Sequence, residues 1–125
     1  MLKLGASASI TRTFTTADMA DYVALGGAPM PVGEAAEPLV GALFSYLLGV
    51  KLPGPGTNYL KQQTQFLAPI PLGRELLARV TITRLRPDKH LVDLETVCEL
   101  DGQPLAQGRA LVYVEDVAGT GGDKV

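Results

Sequence analysis

Residues 37–49, EPLVGALFSYLLG, constrain the fold more than any other stretch of the chain. Leu39, Val40, Leu43, Phe44, Leu47 and Leu48 recur at helical spacing and cover far more than one face. A helix apolar nearly all round is one enclosed by protein. Glu37 stands at the positive end of the helix dipole, and Pro38 falls at an early position where a missing N–H costs little. Gly41, Ser45 and Gly49 recur every four residues, a narrow stripe along which sheet backbone or a thin ligand could come close. The pattern predicts one central helix, and the rest of the chain must supply its enclosure.

The enclosing elements read as short and well punctuated. SITRTF alternates as a strand, and TTADMADYVALGG follows as a helix. Thr15 caps that helix, Asp18 stands three residues on as in a capping box, and Gly26-Gly27 ends it. Met19, Tyr22 and Val23 form its expected buried stripe. After LPGPG, whose prolines and glycines demand a tight turn, everything to residue 115 reads as β structure. ELLARVTITRL places Ala78, Val80 and Ile82 on one face, and LVDLETVCEL places Val92, Leu94, Thr96, Cys98 and Leu100 on one face. RPDKH joins these two strands, Asp101-Gly102 is a tight-hairpin signal, and QGRALVYVE is the last strand. A buried helix with a run of antiparallel strands is an α+β arrangement in which a curved sheet wraps the helix, the hot-dog architecture. The expected organisation is one domain over residues 1–116 with a flexible, glycine-rich tail over 117–125.

Composition excludes several kinds of function. The chain has 125 residues, 46% of them hydrophobic, and a net charge of −2, enough for one core. Its 11 basic and 13 acidic residues form no runs, so neither nucleic acid nor an anionic membrane surface is an expected partner. No apolar run reaches the ~18–20 residues of a membrane span, and the N-terminus lacks a leader-like apolar segment, so a cytoplasmic location is expected. With one cysteine, Cys98, and one histidine, His90, there is no internal disulfide and no ligand cluster, hence no metal and no cofactor is expected. Cys98 reads as a small buried hydrophobe and His90 as a residue of a solvated turn.

The order of LPGPGT, FLAPIPLG, RPDKH and LETVC, together with ASITRTFTTADMADYVALGG, resembles MaoC-like dehydratases and (R)-specific enoyl-CoA hydratases over about residues 5 to 115. The resemblance implies a hot-dog fold that pairs into a dimer and holds an acyl chain along the central helix. It implies as ligand an acyl thioester of CoA or of acyl carrier protein, hydrated across a trans-2-enoyl bond. In the family, a loop of roughly Ser-Gly-Asp-x-Asn-Pro-x-His supplies the aspartate and histidine that bind water and move its protons, and a backbone N–H from a later His-Gly pair holds the thioester oxygen.

Against that pattern this chain keeps the scaffold and lacks the chemistry. Gly27 and Pro31 match, but Ala28 stands at the aspartate, Met30 at the asparagine and Gly33 at the histidine. None of these three exchanges a proton, and a positioned acid or base typically contributes 10²–10⁴-fold. The segment that overhangs the family's site is cut. A gapless count from LLGVKLPG puts the His-Gly pair on Ala36 and Glu37, while loss of one helical turn would put the glycine at Gly41.

The remaining candidates are weaker. Glu34 and Glu37 flank the start of the central helix, where either could act as a base or activate water, while Glu37 also serves as an ordinary helix N-terminal charge. Gly41 and Ser45 on the helix, and Tyr59, Gln62 and Gln63 on the strand after the turn, are candidates to line the acyl site. Arg84, Arg86 and Lys89 could meet the phosphates of CoA. Three functional classes follow: a non-catalytic or partner-dependent subunit, in a homodimer or in a heterodimer with an intact hydratase; an enoyl-CoA hydratase or thioesterase using Glu34 or Glu37; and an acyl-CoA sensing module.

Overall fold

The computed structural model describes residues 2–115; the tail expected over 117–125 lies outside them. The chain begins with β1 (Ser7–Thr13) and α1 (Thr16–Ala24), then β2 (Glu34–Ala35) and α2 (Glu37–Tyr46), which widens into a π-helical turn over Leu47–Lys51. There follow β3 (Thr57–Phe66), β4 (Ile70–Pro71), β5 (Glu75–Arg86), a 3-10 turn at Pro87–Lys89, β6 (Leu91–Leu100) and β7 (Gln103–Val114). Five strands form one antiparallel sheet in the order β1-β5-β6-β7-β3, and β2 pairs with β4 in a small ribbon.

The core is the contact between α2 and the inner face of this sheet. Val40, Leu43, Phe44, Leu47 and Leu48 meet Leu76, Ala78, Val80 and Ile82 of β5, Val92, Leu94 and Cys98 of β6, and Ala106, Ala110 and Val112 of β7. The alternation read from β5 and β6 is the observed one. Asp101 and Gly102 both adopt positive φ, 51° and 81°, as the two central positions of a primed hairpin turn require.

The ends of α1 follow from its sequence. Thr15 Oγ1 accepts from the Asp18 N–H at 3.1 Å, and the Asp18 carboxylate accepts from the Thr15 N–H at 2.9 Å, a closed capping box. That backbone bond, with further help from the Thr15 hydroxyl and Arg12, holds the Asp18 carboxyl below its usual range. At the other end Gly26 donates to the Val23 carbonyl and Gly27 to the Tyr22 carbonyl, the paired bonds of a Schellman motif.

Two expectations about the helices fail, for related reasons. The predicted stripe of α1 is not buried: Met19 and Tyr22 are half-buried and Val23 is 41% exposed, because α1 lies at the rim of the sheet. Nor is α2 enclosed all round. The sheet covers one side, while Ala42, Ser45, Tyr46, Gly49 and Val50 are exposed. The Gly41–Ser45–Gly49 stripe belongs to the uncovered side, and a Cβ at Gly41 or Gly49 would meet nothing within 4 Å, so among the described residues no backbone packs against it.

Candidate functional site

A groove of about 360 Å³ runs between the first turn of α2 and the inner face of β3, lined by Glu37, Pro38, Gly41, Gln62, Thr64 and Phe66. Glu37 is its single titratable side chain. The helix terminus beside it has little donor capacity left. The Ala36 N–H is taken by Met19 Sδ at 3.3 Å, Pro38 has none, and the Leu39 N–H bonds the Ala36 carbonyl at 3.0 Å. Among the described residues that leaves the N–H of Glu37 as the open donor of the turn, since the first N–H groups of a helix have no intrahelical acceptor.

The opposite wall depends on an irregularity in β3. Tyr59 pairs with Val112, but Lys61 pairs with Leu111, so the bulge at Leu60 shifts the alternation by one residue. Tyr59, Gln62, Thr64 and Phe66 therefore share the inner face, and Lys61, Gln63 and Gln65 take the outer one. The inner polar side chains are linked: the Tyr59 hydroxyl donates to Gln62 Oε1, and Gln62 Nε2 donates to Thr64 Oγ1 at 3.0 Å. Partial burial pushes the Tyr59 phenol up to about 12, so it remains a donor near neutral pH.

The structure separates the other sequence candidates. Gly41 reaches the groove and Ser45 lies one turn further along the same open face. Gln63 does not join Tyr59; it lies on the outer face with Arg79, Glu95, Gln107 and Arg109 around a depression of about 690 Å³. Arg84 and Arg86 also belong to the outer face, in register with Asp93 and Leu91. Arg86 is held by both carboxylate oxygens of Asp93 at 2.7–3.1 Å, Arg84 is exposed, and Lys89 is exposed in the 3-10 turn.

Ala28 and Gly33 occupy the loop between α1 and β2, both exposed. Gly33 has φ 86°, and its carbonyl accepts from the Leu72 N–H at 2.9 Å, while the Glu34 N–H bonds the Pro31 carbonyl at 3.1 Å. Glu34, half-buried in β2 opposite Pro71, is not among the residues lining the α2–β3 groove. On the other flank of α2, a groove of about 560 Å³ has an apolar floor that includes Phe14, Leu39 and Ala42 and a charged margin of Arg12, Asp18 and Asp21. Thr64 is the functional candidate that sequence reading missed; the shift of parity that brings it inward has no signature in TNYLKQQTQF.

His90 adopts positive φ at 57° and places Nδ1 2.6 Å from the Glu115 carbonyl oxygen, a turn role. Cys98 is fully buried and its thiol is pushed up to about 11, first by desolvation and then by Glu99. Among the described residues no group of three or more His, Cys, Asp or Glu could hold a metal ion, and no helix is long and apolar enough to cross a membrane.

A curved antiparallel sheet around one helix, open along the groove beside it, defines a hot-dog protein. Solved structures similar to it have this architecture. The (R)-hydratase of Aeromonas caviae involved in PHA biosynthesis aligns with TM-score 0.85 and 31% identity, over 90% of this chain and 97% of that one. The R-hydratase PhaJ1 of Pseudomonas aeruginosa aligns with TM-score 0.84 and 27% identity, over 92% and 83%. Among curated proteins, an (R)-specific enoyl-CoA hydratase of Rhodospirillum rubrum is 33% identical over 127 residues, covering 90% of this chain and 88% of the relative. No protein-family model matches the chain. The chain belongs to the (R)-specific enoyl-CoA hydratase family.

Proposed function

We propose that this protein is a cytoplasmic acyl-thioester-binding member of the family whose own hydratase activity is absent or weak, acting as a non-catalytic or partner-dependent subunit. The ligand is an acyl thioester of CoA or acyl carrier protein, and the assembly is a homodimer or a heterodimer with an intact hot-dog hydratase. One observation carries the reading: the groove between α2 and β3 is present, yet Glu37 is its single titratable side chain. Hydration of an enoyl thioester needs both a group that takes a proton from water and one that delivers a proton to carbon. Ala28 and Gly33, at the positions the family gives to those groups, can do neither.

Its test is hydration of crotonyl-CoA by the purified protein, alone and mixed with an intact family member. The expected result is saturable binding of butyryl-CoA, no turnover alone, and co-purification as a mixed dimer. A second reading is favoured by the position of Glu37 in the groove: a hydratase or thioesterase in which that carboxylate acts as base. Turnover in the ordinary enzyme range of ~1–10³ s⁻¹ by the protein alone, abolished by Glu37→Gln, would establish the second reading and sink the first.

A further inference from the structure

We propose that the hydroxyl of Thr64 is the hydrogen-bond donor that receives the carbonyl oxygen of the bound acyl thioester. The proposal rests on the acyl-thioester-binding reading and assigns a contact within it.

The direction of the hydrogen bonds along β3 carries the argument. The Tyr59 O–H points to Gln62 Oε1, and the Gln62 amide N–H points to Thr64 Oγ1. With the Gln62 amide oriented so that its Oε1 faces Tyr59, every donor in this line faces the same way, toward Thr64. A threonine hydroxyl has one proton, and because its oxygen already accepts from Gln62, the proton is left to donate onward. Among the described residues it has no acceptor. Bonds aligned in series polarise one another, which makes the last O–H of the line a better donor than an isolated hydroxyl.

The surroundings of Thr64 suit an incoming acceptor. Its side chain and Glu37, Gly41 and Phe66 line the same groove, and Gly41 opposite offers no side chain to fill the space. Its neighbour in the β7 register is Gly108, where a Cβ would overlap the carbonyl oxygen of Gln63. That position therefore stays bare, and no β7 side chain stands beside Thr64 on the inner face. The ligand group that fits is an oxygen with lone pairs and no proton of its own, which in an acyl thioester is the carbonyl oxygen. The Glu37 carboxylate is the one charged acceptor on the groove, so the Glu37→Gln variant belongs in the test.

The experiment compares butyryl-CoA with S-butyl-CoA, a thioether of the same chain length that lacks the carbonyl, by calorimetric titration of the full chain. Thr64→Val is expected to weaken butyryl-CoA about 3- to 10-fold, the range one net neutral hydrogen bond supplies, and to leave S-butyl-CoA within about twofold. Thr64→Ser is expected to keep butyryl-CoA affinity, and Glu37→Gln to leave the difference between the two probes intact. With carbonyl-labelled butyryl-CoA, the infrared C=O stretch of the bound thioester should lie higher in Thr64→Val than in the parent. Equal weakening of both probes, or an unchanged stretch, overturns the assignment while leaving acyl-thioester binding in place. Failure of the parent protein to bind either probe overturns the acyl-thioester reading and the Thr64 contact together.

Discussion

Arg86 grips Asp93 on the outer face of the sheet through three contacts of 2.7–3.1 Å, with both side chains about a quarter exposed. The geometry is the bidentate fork in which guanidinium and carboxylate match best. A guanidinium so engaged is a poor phosphate ligand, because a phosphate would have to displace the carboxylate. Arg86→Met is therefore expected to leave butyryl-CoA affinity within about twofold while costing about 1 kcal/mol of stability, a melting shift of a few degrees. Titration and a thermal scan of the same variant check both halves.

The α1–β2 loop resists a simple graft of the dyad that the resemblance assigns to Ala28 and Gly33. Gly33 holds φ 86°, a conformation that side chains rarely adopt, and its carbonyl and the adjacent N–H are both bonded. Histidine there would be strained by ~1–2 kcal/mol. The double variant Ala28→Asp, Gly33→His is expected to lose about that much stability and to show no crotonyl-CoA hydration above the parent. The decline in enoyl absorbance, followed with enzyme in large excess over buffer controls, is the measurement; recovery of turnover would show the loop can still place both groups.

Much of this architecture could be read from residues that act locally. Thr15 and Asp18 form the capping box their spacing promises, Gly26 and Gly27 close α1, and the Asp101-Gly102 turn adopts the expected positive φ angles. In β5 as far as Ile82, and in β6, strict alternation coincides with burial, because each strand is flanked on both sides and has one face on the core; a second bulge, at Thr83, turns Arg84 and Arg86 outward. What failed depended on tertiary placement. The bulge at Leu60 reverses the parity of Gln62, Gln63 and Thr64, and nothing in that polar run marks it. Ser45 and Tyr46 are exposed because the sheet covers one side of α2, whereas the composition of the helix counts apolar residues and not the layers available to cover them.

Among the described residues, Thr96 is the one buried polar residue of the inner face, fully inaccessible, and its hydroxyl has no hydrogen-bond partner. Its cross-strand neighbours are Val80 and Gly108, and Leu94 and Cys98 are its neighbours along the strand face. A desolvated hydroxyl without a partner costs ~1–3 kcal/mol. Thr96→Val keeps the shape and removes that cost, so it should raise stability by about 1–2 kcal/mol in denaturant titration. A loss of stability would mean that the hydroxyl is bonded after all.

Cys98 shares that inner face, and desolvation raises its thiol to about 11. The reactive species is the thiolate, so the native protein should be alkylated by iodoacetamide far more slowly than the unfolded chain at pH 8. The sign of its effect on stability follows from the same shift. Between the usual thiol value near 9 and about 11 the unfolded chain loses a proton that the folded one keeps, so stability from this group falls as pH rises through that window. Cys98→Ala should flatten the alkaline limb of a stability profile, and an unchanged limb would argue against the shift.

Gly108 sets the distance between β7 and β3, and so the position of the wall that carries Tyr59, Gln62 and Thr64. A Cβ at residue 108 would overlap the Gln63 carbonyl, which is backbone and cannot swing aside as a flexible side chain would. Gly108→Ala must push β3 away from β7 over the pairs on either side, Gln62 with Ala110 and Phe66 with Ala106. Since β3 is at the edge of the sheet and has β7 as its one partner among the described residues, the strand can yield outward while the rest of the core holds. The variant is expected to fold with about 2–4 kcal/mol less stability and to lose butyryl-CoA binding by more than Thr64→Val does, because all three linked side chains shift together. Hydrogen exchange resolved by residue checks the mechanism: protection should fall along β3 and at its partners in β7, while β5 and β6 keep theirs. Uniform loss of protection across the five strands would show that Gly108 supports the whole sheet and not the groove wall in particular.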